Sequence, residues 1–448
     1  MEKKVFVVSL GCPKNLVDTE VMLGLLGQLG YRTCAEPEEA ELILVNTCGF
    51  IQSAAAEAVD EILRLAAVKA ANPELKLVVT GCLVQRYGQE LIRELPEVDL
   101  FVGTENLLEL PAQVSALFQG SSPSSRTALG GGPRFLMHSG LPRQVSTPPH
   151  RAYLKITEGC SNRCSYCVIP AIRGPLRSRP LDDVLAEAAR LDRAGVKELT
   201  LIGQDLTAYG LDLADKDAGL PELLVRLLAE TSIPWLRLLY LYPHRLDDRL
   251  LRLLADNGRL TPYLDIPLQH VSPKVLRAMN RPAQTGGIEE LFARIRGLLP
   301  QAAIRSTFIV GFPGEDEEDV RRLENFLRRE RLDHVGVFAY SNEEGSAAAK
   351  LPGRLGEREK NRRRDRLLRL QAGISLAKNQ ALIGRVVPVL VEGVSAETEL
   401  LLEGRMPTQA PEIDGCVYIT DGNCAPGDLV RVRITEAHTY DLVGEIVG

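Results

Sequence analysis

No apolar run in these 448 residues approaches the roughly 18–20 needed to span a bilayer, so no membrane-spanning helix is expected. Positive charge is also in short supply. Fifty-three lysines and arginines stand against 59 acidic residues, and the net charge of −6 excludes the whole chain as an electrostatic clamp for nucleic acid. A secretory leader is likewise missing from the reading: "VFVVSL" runs straight into "GCPKN" and is expected to be a first strand. The expected setting is therefore cytoplasmic and reducing. There the nine cysteines, an odd number, point to metal or catalysis in preference to disulfides.

What is present divides the chain. Its length calls for several domains of about 100–200 residues each. Residues 1–120 form the first unit. Residues 121–149, rich in glycine, serine and proline without sustained periodicity, read as a linker. Residues 150–381 alternate six apolar β-type runs, "AYLKIT", "ELTLIG", "LRLLYLY", "YLDIPL", "IRSTFIVG" and "HVGVFAY", with amphipathic segments such as "LDDVLAEAARLDRAG". That alternation predicts a parallel sheet with helical crossovers and ligands at the C-terminal strand ends. Residues 382–448 are β-rich and acidic and form a small module.

The densest chemistry is in "EGCSNRCSYCVIP", where Cys160, Cys164 and Cys167 fall within eight residues just after the first of the six strands. A structural zinc site wants four ligands, and no fourth Cys or His lies near this triplet. Unrelated buried cysteines are the plain alternative. Three thiolates on a four-iron cubane suit the spacing better, because they leave one iron free to hold a substrate or cofactor. The first 120 residues repeat this arithmetic: "VFVVSLGC", "LILVNTC" and "LVVTGC" place Cys12, Cys48 and Cys82 at three strand ends. In an open parallel α/β domain those ends share one edge, so a second three-ligand site is expected there, with buried core cysteines as the alternative. Cys34, Cys416 and Cys424 read as structural.

C-x3-C-x2-C with Tyr166 before the last cysteine resembles the signature of radical S-adenosylmethionine enzymes. The resemblance implies a partial TIM-like (β/α)6 barrel in which S-adenosylmethionine chelates the open iron and yields a 5′-deoxyadenosyl radical. "LIGQDL" and "IVGFPGE" match the superfamily's binding loops in kind and order, although Gly203, Gln204 and Asp205 stand where Gly-Gly-Glu is common. The implied cofactor contacts are Tyr166, Gly203, Gln204, Asp205, Gln269, Arg305 and Gly311. With "SLGCPKN", "VNTCGFI" and "VTGCLVQRY" ahead of "CSNRCSYC", and a β module behind, the chain resembles the methylthiotransferases over its full length. That family implies two [4Fe–4S] clusters, two molecules of S-adenosylmethionine, an electron donor and a sulfur source.

"GCPKN", "GPLRSRP" and "LYPHRLDDRLLRLLADN" resemble the branch acting on a ribosomal protein, whereas the tRNA branch commonly has "GCQMN" at its first cysteine. The implied target is the β-carbon of an aspartate in a small-subunit protein of the decoding centre, free or in the assembled subunit. The C-terminal module resembles the TRAM domain, an OB-like barrel. From Arg385 onward it carries four arginines against eleven acidic residues, a balance that repels phosphates and suits a basic protein partner. The preceding "NRRRDRLLRL" keeps a ribosomal RNA contact open. Two other readings remain at this point: methylthiolation of an adenosine in tRNA, and a non-catalytic, metal-stabilised RNA-binding module.

Overall fold

The structure is a computed structural model that describes residues 3–119, 127–128, 135–215, 217–281, 287–395 and 397–447. Its first sheet contains β1 (Lys3–Ser9), β2 (Tyr31–Thr33), β3 (Leu42–Thr47), β4 (Lys76–Gly81), β5 (Leu100–Val102) and β6 (Thr127–Ala128), all parallel, in the order β2-β1-β3-β4-β5-β6. Every residue of β3 is buried, as expected of a central parallel strand covered on both faces.

Helices α1 (Pro13–Gln28), α2 (Gln52–Ala71), α3 (Cys82–Glu94) and α4 (Leu110–Phe118) belong to this domain. Proline at the start of α1 suits a first turn, whose N–H groups lack partners in any case. The rest of α1 has no exposed polar stripe. Lys14, Asn15, Asp18, Thr19 and Glu20 are buried along with Val17, Val21 and Leu26. The cause is that α1 lies between two domains, its apolar residues sharing one core with Tyr153, Ile202, Leu239 and Tyr263 of the middle domain.

The middle domain has β7 (Arg151–Lys155), a short antiparallel ribbon of β8 (Thr157–Glu158) and β9 (Arg177–Ser178), then β10 (Glu198–Ile202), β11 (Trp235–Leu238), β12 (Tyr263–Asp265), β13 (Ala303–Val310) and β14 (His334–Ala339). Parallel pairing gives β7-β10-β11 and β12-β13-β14. A parallel bridge between Leu236 and Leu260, and a 2.8 Å bond from Leu241 N–H to Asp265 O, join the two halves. Among the described residues β14 does not pair with β7, so this (β/α)6 barrel is open, and α1 packs against residues of its strands.

Part of the stretch expected to be a linker departs from that expectation. Residues 120–126 and 129–134 lie outside the described residues. From residue 135 the chain is a strap: Phe135 and Met137 are buried, and Arg143 pairs with Glu20 and Glu187, both at 2.6 Å. A Cβ on Gly24 of α1 would lie 2.5 Å from the carbonyl of Pro142. The missing side chain at Gly24 permits this close packing.

Strands β15 (Val386–Val394), β16 (Leu402–Arg405), β17 (Val417–Asp421), β18 (Leu429–Ala437) and β19 (Leu442–Ile446) close into a small barrel, with Val389, Val391, Val417, Val432 and Leu442 inside. Its acidity is not all surface. Asp414 has a buried side chain that accepts from Tyr263 Oη at 2.7 Å, and Glu392 faces His150 at 3.0 Å. Part of the charge of the basic helix Glu357–Gln380 is met by neighbouring acids: Arg363 pairs with Glu315, and Arg366 with Glu317 and Glu324. Among the described residues no helix is long and apolar enough to cross a membrane.

Candidate active site between two cysteine clusters

Cys12 immediately follows the loop after β1 and precedes α1, Cys48 follows β3, and Cys82 opens α3. Because β1, β3 and β4 are neighbours, the three thiols share one sheet edge. Gly11, at φ +98°, makes the approach possible; a Cβ there would meet Cys48 Cβ at 2.8 Å. Burial raises Cys48, and the nearby Cys12 adds to that effect. Burial also pushes Cys82 up to about 11. Cys12 goes the other way: burial opposes ionisation, but Lys14, Arg173 and local backbone N–H groups together hold it below its ordinary value.

The second triplet lies in the loop between β8 and β9, entered through Gly159 at φ +70°. A Cβ at Gly159 would lie 2.0 Å from Pro175 O, so the turn requires glycine. Ile169 N–H donates to Cys167 Sγ at 3.4 Å, and Arg281 Nη1 lies 3.7 Å from Cys164 Sγ. Cys167 is pushed up to about 12, by burial first and then by Cys164 and Cys160. Among the described residues no three His, Cys, Asp or Glu side chains form a site for a single metal ion.

The other expected contacts separate into groups. Tyr166 packs near Met279, Phe312 and Tyr340, and its hydroxyl accepts from Arg281 at 3.2 Å. Gly203 follows β10, with no room for a Cβ beside Thr157 Oγ1. Gln204 donates to Glu158 at 2.9 Å, while Asp205 accepts from Asn162 of the cysteine loop and from Arg245, both at 2.7 Å. Gln269 has φ +69°, and Gly311 N–H donates to Glu315 at 2.9 Å. The buried Oε1 atoms of Gln204 and Gln269 and the Oγ1 of Thr157 have no hydrogen-bond partner among the described residues. Arg305 is committed elsewhere, pairing with Asp265 at 3.0 Å and facing Asp414 of the C-terminal barrel at 3.8 Å.

Between the triplets lies a buried charge network that sequence reading missed. Arg173 Nη1 donates to Asp18 at 2.7 Å and Glu158 at 3.2 Å, while its Nε and Nη2 each lie 3.3 Å from Cys82 Sγ. Lys155 pairs with the same two carboxylates. Burial would raise Glu158, but Lys155 and Arg173 hold it far below the usual carboxylate range. The available signal was charge set directly against cysteine motifs: Glu158 is two residues before Cys160, and Arg173 immediately precedes "GPLRSRP". Nearby, Lys14 Nζ lies 3.6 Å from the ring centroid of Tyr240, a residue at φ +63° just beyond β11.

An open parallel barrel with three cysteines after its first strand is the build of a radical S-adenosylmethionine protein. The Radical SAM superfamily model matches residues 154–327, the Uncharacterized protein family UPF0004 matches 4–103, and the TRAM domain matches 383–447. Full-length relatives are more specific. The ribosomal protein uS12 methylthiotransferase RimO of Desulfotalea psychrophila is 52% identical, covering 99% of both chains. Those of Geotalea uraniireducens and Geobacter sulfurreducens are 50% and 49% identical, each covering 100% of this chain and 99% of its own. This chain belongs to the RimO family.

Solved structures agree on fold. The radical S-adenosylmethionine methyltransferase TsrM from Kitasatospora setae superposes with a TM-score of 0.55 at 16% identity, covering 76% of this chain and 75% of its own. The cobalamin-dependent radical enzyme OxsB gives 0.53 at 12% identity, covering 82% and 56%.

Proposed function

We propose that the chain transfers a methylthio group to the β-carbon of an aspartate in ribosomal protein uS12, the protein named for its relatives. The carrying observation is the pair of three-cysteine sites, one at parallel strand ends of the first sheet and one in the loop between β8 and β9, joined through Arg173, which reaches both Cys82 and Glu158. Cys12, Cys48 and Cys82 would hold one [4Fe–4S] cluster, and Cys160, Cys164 and Cys167 the other. Three thiols per site suit a cluster with one iron open to a further ligand. The partnerless Gln204 and Gln269 Oε1 atoms, both acceptors, suit an ammonium-bearing ligand such as S-adenosylmethionine beside Tyr166, Gly203, Asp205 and Gly311. When bound, these groups supply the radical and sulfur-transfer chemistry.

The chain's own work is positional. Asp205 ties the cysteine loop to the end of β10 through Asn162, and Arg245 fixes that carboxylate from the next strand end. Arg173 and Lys155 offset Asp18 and Glu158, so the two sites are held together without an unpaired buried carboxylate. Electrons and sulfur come from outside the chain, in a cytoplasmic setting where the ribosomal protein is made.

Anaerobic reconstitution should give about eight irons per chain, and replacing Cys160, Cys164 and Cys167 together by alanine should leave about four. Mass spectrometry of uS12 after reaction should show a gain of roughly 46 Da on one aspartate, SCH3 in place of hydrogen. The same gain on a tRNA adenosine, with none on the protein, would overturn the substrate assignment.

A further inference from the structure

Around the space between the triplets, most cations have acceptors of their own, and Arg281, beside Cys164, donates to Tyr166 Oη at 3.2 Å and to Pro267 O at 2.7 Å. Lys155 and Arg173 share Asp18 and Glu158, and Arg305 pairs with Asp265. Lys14 is 9% exposed, its ammonium rests on the face of Tyr240, and no carboxylate among the described residues pairs with it. A desolvated cation–π contact contributes about 2 kcal/mol. Removing an ammonium from water costs several kcal/mol, and besides Tyr240 only the Cys12 thiol, whose ionisation Lys14 favours, faces it, so Lys14 has no carboxylate of its own among the described residues.

Tyr240 carries a cost of its own. A non-glycine residue in the left-handed region costs on the order of 1–3 kcal/mol, and such strain gathers at ligand sites. Two bonds hold the conformation: Tyr240 N–H donates to Asp265 at 3.0 Å, and its carbonyl accepts from Leu206 N–H at 3.1 Å. Lys14, two residues along the chain from Cys12 and without a carboxylate partner among the described residues, thus meets the strained tyrosine at the end of β11.

An aspartate β-carbon is bonded directly to its carboxylate carbon. Bringing that carbon between the two thiol sites brings an anion into a region already holding Asp18, Glu158, Asp205 and Asp265, where an unpaired carboxylate would be strongly disfavoured. We propose that Lys14 Nζ receives the carboxylate of the target aspartate, with Tyr240 Oη as a second donor, and that this pairing makes an acidic side chain the preferred target. The inference rests on the aspartate reading of the substrate.

The test compares uS12 with a variant whose target aspartate is asparagine, as substrates of the wild-type enzyme and of Lys14→Gln and Lys14→Arg, each reconstituted anaerobically. Losing one member of a buried charge pair predicts a fall on the order of 100-fold in kcat/KM for Lys14→Gln on the aspartate protein, carried by KM. Wild type should prefer aspartate over asparagine, Lys14→Gln should have lost that preference, and Lys14→Arg should recover most of it. Iron content of Lys14→Gln should equal that of wild type. A Lys14→Gln enzyme that keeps the preference, or that loses iron, overturns this inference while leaving the substrate reading intact. Modification of tRNA and of neither protein overturns both.

Discussion

Arg173 is the side chain on which the two thiol sites meet, and it shows how one buried charge can determine whether an interface holds. Replacing it by methionine keeps much of its volume but leaves Asp18 and Glu158 with Lys155 as the one cation pairing them among the described residues and removes the donors 3.3 Å from Cys82. Breaking a buried pair on one side costs about 3–5 kcal/mol. Urea titration of the metal-free chain should show Arg173→Met destabilised on that scale, and Arg173→Lys, which keeps the charge but not the guanidinium fork, destabilised less. Equal stability of Arg173→Met and wild type would show that the network does not hold the domains together.

At the scale of elements, α1 and the strap over residues 135–149 form a joint between domains. Gly24 sits where the strap crosses the helix, with the backbone of Pro142 and Arg143 too near for any side chain. Alanine would raise the intrinsic helix preference at that position by up to about 1 kcal/mol. The added methyl must nevertheless displace backbone, and overpacking of that kind costs about 1–3 kcal/mol. Packing should win: Gly24→Ala should lower the melting temperature and speed proteolytic cleavage within 135–149. A raised melting temperature would mean that the strap yields easily.

Across the whole molecule, the C-terminal barrel is fastened to the middle domain through buried ions, with Arg405 reaching Glu198 at 2.5 Å and Glu392 facing His150 and Arg151. Burial works against ionised Glu392, but the His150 hydrogen bond and the charges of Arg405 and Arg151 lower it from 4.5 to about 2. A carboxyl lowered on folding stabilises the fold above its ordinary value, and that contribution is lost as pH falls from 4.5 towards 2. The shift corresponds to ~3 kcal/mol at most. Between about pH 5 and pH 2.5, unfolding free energy should therefore fall more steeply for wild type than for Glu392→Gln. Parallel curves would remove Glu392 from the account of acid stability.

Strands β10, β11 and β12 were legible because burial on both faces leaves a continuous apolar run, and the cysteine motifs because thiols at fixed spacing after such runs are uncommon. That residues 135–149 pack as a strap was not legible, since glycine and proline mark flexible chain and close backbone contact alike in a sequence. Asp414 and Glu392 were counted as surface charge because composition carries no information about which acids face a partner across a domain boundary. The sequence by itself determined three strands of the first domain and the six of the middle one, their parallel pairing and the six thiols placed after them, all of which follow from local periodicity and chain connectivity. Only the tertiary structure decided that Asp18, Lys155, Glu158 and Arg173 meet between the triplets, and that Lys14 does not share their pairing. Ion pairs between residues more than a hundred positions apart depend on how two sheets are docked, which no local pattern encodes.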